Sequence, residues 1–82
     1  MNVIQAQIIL LLAKHDMNVT EVGRELFYHR TTVLHHIAQV EKATGKNPLK
    51  FYDLADLIPE AEKVIQEYSK SVCEDDANGN IN

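Results

Sequence analysis

Apolar residues recur along this chain at the three- and four-residue spacing of helices. In the stretch "VIQAQIILLLAKHD", Val3, Ile4, Ile8, Leu11 and Leu12 fall at that spacing, while Ile9, Leu10 and Ala13 fill the other faces. A helix that is apolar nearly all round must be covered on two sides. A second helix is predicted after Asn18, an N-cap with Glu21 three residues on to complete a capping box and with Met17 and Val22 placed for a hydrophobic staple. Val19, Val22 and Leu26 form its buried stripe. Gly23 lies in its middle, where glycine costs roughly 1 kcal/mol relative to alanine, so another backbone is expected to pass close by. A third helix is predicted over residues 30–44, stopped by Gly45 and by Pro48 beyond it. Residues 53–58, "DLADLI", suggest a short further turn. Pro59 then suits the start of a last helix, with Ala61, Val64, Ile65, Tyr68 and Val72 on one stripe and Glu60 and Glu62 at its positive end. That stripe is the expected cover for the surplus face of the first helix. The fold class is therefore all-α, a small bundle of four to five helices.

Size and composition narrow the picture. A chain of 82 residues, 45% hydrophobic and without Trp, is expected to form one domain over residues 1–72. The polar, acidic stretch "CEDDANGNIN", residues 73–82, is expected to be a disordered tail. Cys73 is the only cysteine, which leaves no internal disulfide or Cys-based zinc framework and fits a reducing cytoplasm. The run "IILLLA" is too short to span a bilayer and lacks the flanks of a signal peptide, so a soluble, cytoplasmic protein is expected. No paired carboxylates, nucleophile elbow or phosphate-cradling glycine loop stands out, so neither an enzyme nor a cofactor is expected. A metal site from His29, His35 and His36 is disfavoured, because a six-residue step does not bring two ligands onto one helical face.

Charge changes the functional reading more than composition does. The net charge of −4 argues against a nucleic-acid partner, since duplex DNA is bound largely through Lys and Arg on its phosphates. The distribution argues the other way. Residues 27–50 carry four basic side chains against one acidic, whereas residues 51–82 carry two against eight. Three of the four histidines also lie in this basic island.

Two short helices joined by a tight turn, with a small residue in the first and branched apolar residues in the second, form the pattern of a helix-turn-helix unit. Gly23 is the small residue, Leu26 and Tyr28 flank the turn, and Val33 and Ile37 anchor the second helix inward. The stretch "NVTEVGRELFYHRTTVLHHIAQVEKATG", residues 18–45, resembles the C-terminal helix-turn-helix domain of the purine-catabolism and carbohydrate-diacid regulators, the PucR-type family. The match runs in order through Asn18, Val19, Leu26, Phe27, His29, Arg30, Thr32, Val33, Ile37, Val40, Glu41, Thr44 and Gly45. The resemblance implies DNA binding in a small bacterial transcription regulator or accessory factor, with the second helix as reading element. Thr31 stands where the family often has Asn, and Leu34 and His36 stand where arginines are common.

The helical period of 3.6 residues sorts the reading helix into faces. With Val33, Ile37, Val40 and Thr44 inward, Thr31, His35, Ala38 and Lys42 line the opposite side with Gln39 beside them. His36 points toward the flank of the buried stripe. His29 and Arg30 fall at the helix start, where reading helices meet base edges and open backbone N–H groups favour phosphate. Thr32, and Asn18 and Thr20 on the preceding helix, complete the expected DNA-contacting set. One domain this small reads few base pairs, so a homodimer on double-stranded DNA is expected. The alternative is a protein-protein interaction module on the same scaffold, such as a regulator subunit or antirepressor, which the acidity and missing arginines favour.

Overall fold

The computed structural model describes the backbone of residues 1–80 and the side chains of residues 1–70. Four helices follow in order: α1 (Val3–Lys14), α2 (Val19–Leu26), α3 (Arg30–Thr44) and α4 (Phe51–Asn80). Of the stretch expected to be a disordered acidic tail, residues 73–82, the backbone through residue 80 continues α4, and its side chains lie outside the described ones.

The first helix is held at both its start and its faces. Asn2 closes a full capping box with Gln5: Asn2 Oδ1 accepts the Gln5 backbone N–H at 2.8 Å, and Gln5 Oε1 accepts the Asn2 backbone N–H at 3.1 Å. Ala6, Ile8, Ile9 and Leu12 are then buried against Leu54, Leu57 and Ala61 of α4, Val33, Ile37 and Val40 of α3, and Val19 and Val22 of α2. The apolar surplus of α1 is thus core, covered from two sides as its pattern requires.

The C-terminal third departs from the expected short turn followed by a helix beginning at Pro59. It is one continuous helix with Pro59 inside it. Leu54, Leu57 and Ala61 continue a single buried stripe across the proline, while Ala55, whose carbonyl loses its helical partner, and Pro59 itself are exposed to water. Burial on one face therefore carries the helix through a break that falls on the other. Tyr68, expected on the buried stripe, is instead 54% exposed. At 1.5 Å per residue α4 is about 45 Å long and α1 about 18 Å, so α1 cannot cover its whole length.

The second helix begins at Asn18, whose Oδ1 accepts the Glu21 backbone N–H at 3.2 Å. The reciprocal half of the expected capping box is not made. Asn18 N–H already donates to the His15 carbonyl at 3.0 Å, and the Glu21 carboxylate pairs instead with Arg24 at 3.1 Å. The link from α1 is tight, with Asp16 and Met17 both left-handed (φ 54° and 64°). Across it, Glu25 meets His15 at 3.0 Å and Lys14 at 3.8 Å. The hydrogen bond from His15, with the positive charge of Lys14 nearby, holds the Glu25 carboxyl below the usual carboxylate range.

Gly23 is where α2 meets the turn and the first residues of α3. A Cβ there would meet the Tyr28 carbonyl oxygen at 2.8 Å and Val33 Cγ2 at 3.6 Å. The same glycine's carbonyl accepts the Tyr28 N–H at 2.8 Å, so the turn is bound back onto the helix it leaves. Alanine stabilises an ordinary helix interior, but here it would force backbone against backbone. Gly23→Ala is expected to lower unfolding stability by roughly 2 kcal/mol, the range for overpacking, measured by urea denaturation; a stabilised variant would mean that the helices are not in this contact.

Candidate nucleic-acid interface

The turn between α2 and α3 consists of Phe27, Tyr28 and His29. Phe27 ends α2 in a left-handed conformation (φ 60°, ψ 37°), with its N–H directed to the carbonyls of Arg24 and Gly23. Glycine is the usual residue at such a position. The Phe27 ring is 95% exposed, so no intramolecular packing offsets its backbone strain. Tyr28 is half-buried against the core.

After the turn, α3 starts without a side-chain cap. Its N-cap His29 makes no capping hydrogen bond and its first turn holds no acidic residue. The N-caps of α1 and α2, by contrast, are both satisfied by asparagine. Val33, Ile37 and Val40 are buried and fix the rotation of α3. That rotation leaves His29, Arg30, Thr31, His35, Ala38, Gln39 and Lys42 exposed, whereas Thr32 is half-buried. His36 is partly covered, and its Nδ1 is buried without a hydrogen-bond partner among the described residues.

Ion pairing separates the basic residues of this region. Glu25 is taken up by Lys14 and His15, Arg24 by Glu21, and Lys46 by Asp56 at 3.7 Å. Arg30 and Lys42 enter no ion pair among the described residues. Asn18 and Thr20 are exposed on α2, with Asn18 Oδ1 committed to its cap.

One part of the surface was not foreseen in the sequence. Gln5 Nε2 donates to Gln39 Oε1 at 3.0 Å, and Gln39 Nε2 lies 3.2 Å from His35 Nε2. The start of α1 is thereby hydrogen-bonded to the exposed face of α3. The signal was present in "NVIQ", whose Asn2 and Gln5 have capping-box spacing, with Gln5 one of two glutamines on a mostly apolar helix.

Two helices crossing over a mid-helix glycine, a three-residue turn and an outward face on the second helix define a helix-turn-helix protein. Residues 7–58, well over half of the 82, match the family model of the PucR C-terminal helix-turn-helix domain. The chain belongs to that family. Comparison with curated proteins and with solved structures gives no match. Membership points to DNA-binding transcription regulation, and a regulatory domain of this kind is not typically enzymatic. Among the described residues no helix is long and apolar enough to cross a membrane.

The geometry at Phe27 yields a direct test. Phe27→Gly removes a left-handed strain of about 1–2 kcal/mol and returns part of it through the greater freedom of the unfolded glycine chain. A net gain of about 0.5–1 kcal/mol in unfolding free energy is expected by chemical denaturation. A loss of stability would mean that the ring packs on the domain.

Proposed function

We propose that this domain binds duplex DNA in a sequence-specific manner through the exposed face of α3, as a small bacterial transcription regulator or accessory factor of the cytoplasm. The observation that carries the reading is the uncapped start of α3 beside Arg30, a cation with no ion-pair partner among the described residues. Open N–H groups and the positive end of the helix favour a phosphate oxygen there, and Arg30 adds a permanent charge. His29, Arg30 and Thr31 then meet the duplex first. His35 and Lys42 follow at helical spacing, with Lys42 toward the backbone phosphates. Thr32, Asn18 and Thr20 serve at the margins as phosphate contacts.

Residues 1–72 act as the binding domain, with 18–45 as its core, and the acidic residues 73–82 lie beyond it. A homodimer is part of the proposal, because two copies one DNA turn apart read enough base pairs for selectivity. The alternative is a protein-interaction module on the same scaffold. Its support is the acidity of the whole chain and the exposed aromatic pair Phe51 and Tyr52 on α4, with ring centroids 5.3 Å apart.

Salt separates the two readings, because counterion release makes DNA affinity fall linearly with salt on logarithmic axes. In mobility-shift titrations with mixed duplex fragments, Arg30→Ala is expected to weaken binding and to lower the salt slope by about 1, as for one lost phosphate contact. Its thermal stability should remain within roughly 0.5 kcal/mol of the parent. No shift at low salt would defeat the DNA reading. Unfolding of the variant would make Arg30 a structural residue.

A further inference from the structure

The hydrogen-bond chain from α1 to α3 has a fixed direction. Gln5 Oε1 is committed to the Asn2 backbone N–H, so the amide of Gln5 must turn its Nε2 toward Gln39. Gln39 accepts that bond on Oε1 and therefore turns its own Nε2 to His35. An amide nitrogen donates and does not accept. The Nε2 of His35, 3.2 Å away, must be the acceptor, and the imidazole proton must reside on Nδ1. Among the described residues His35 makes no other hydrogen bond, and its side chain is exposed on the outer face of α3.

We propose that Gln5 and Gln39 are positioning residues that lock His35 as the Nδ1–H tautomer, so that α3 offers a hydrogen-bond donor of fixed location to an acceptor atom of duplex DNA. This rests on the DNA reading above. The acceptor is a purine N7, guanine O6, thymine O4 or a phosphate oxygen, all of which share the ability to take an N–H. The capping box of α1 thereby sets the chemistry of a side chain on another helix. Neither link alone has this effect. A glutamine at position 39 without Gln5 could turn either end of its amide to the imidazole, and His35 would be free to present a donor or an acceptor.

The test begins with the free protein. Long-range nitrogen-proton correlation of the histidine rings, recorded at pH about 8 and so above the ordinary imidazole range, is expected to give His35 a protonated Nδ1 and a bare Nε2. Gln5→Glu keeps a group that completes a capping box, but its carboxylate only accepts. Gln39 must then turn over and present Oε1 to His35, which moves the proton to Nε2. Gln39→Glu, at an exposed position, forces the same change from one step nearer and stands in if Gln5→Glu does not fold. An Nε2–H tautomer in the parent protein, or a tautomer unmoved in both variants, would overturn the proposal.

The second arm selects bound fragments from a pool of random-sequence duplexes, with Gln7→Glu as a charge-matched control on the exposed side of α1. A preference altered at one base position in Gln5→Glu identifies a base-edge acceptor. A uniform loss of roughly 10-fold beyond the control, as for one unpaired hydrogen-bonding group, identifies a phosphate. Selection and affinity identical to the control would overturn the recognition role. If the parent protein retains no duplex, the DNA reading and the recognition role fail together, while the ring spectra still judge the hydrogen-bond chain alone.

Discussion

The approach of the Tyr28 carbonyl oxygen to Gly23 is the constraint on which the rest of the domain depends. Only a residue without a Cβ lets the turn fold back at this distance, because a methyl group would lie 2.8 Å from that oxygen. With the turn held there, α2 and α3 cross in one way, and Val33 closes over the glycine from the α3 side. Every outward residue of α3 takes its direction from that crossing. The helix is further fixed by Val33, Ile37 and Val40 in the core it shares with α1.

The two ends of the unit divide their roles. The starts of α1 and α2 are closed by asparagine side chains, and the charges around α2 are paired among themselves. The start of α3 has neither a side-chain cap nor an acidic neighbour in its first turn, and Arg30 is unpaired among the described residues. Phe27, held left-handed just before it, carries strain without compensating burial. Residual strain and unsatisfied donors concentrate where a ligand would relieve them. A net negative chain with a basic island is compatible with this division, because steering and contact depend on the local field.

Much of this was legible in the sequence, for identifiable reasons. The C-terminal end of α3 followed from Gly45 and Pro48, since both act through backbone geometry that needs no tertiary partner. Gly23 announced a close approach because glycine is unfavourable in a helix without one. The continuous α4 was misread because a proline signal is local, whereas the stripe of Leu54, Leu57 and Ala61 that overrides it gains its energy only against α1. The second half of the capping box at Glu21 failed for a related reason, since the preceding turn had already taken the Asn18 N–H. Exposed positions on α3 could be placed by period alone. The bond between Gln5 and Gln39 could not, because it joins residues 34 apart and depends on how α1 crosses α3.

Whether the outward face of α3 meets duplex DNA, as proposed, is read from amide chemical-shift mapping. Addition of random-sequence duplex at low salt is expected to move the resonances of residues 29–31, 35, 38–39 and 42, and added salt is expected to reverse those shifts. Shifts confined to α4 or to the α1–α2 link, or none at all, would mean that this face does not meet the duplex.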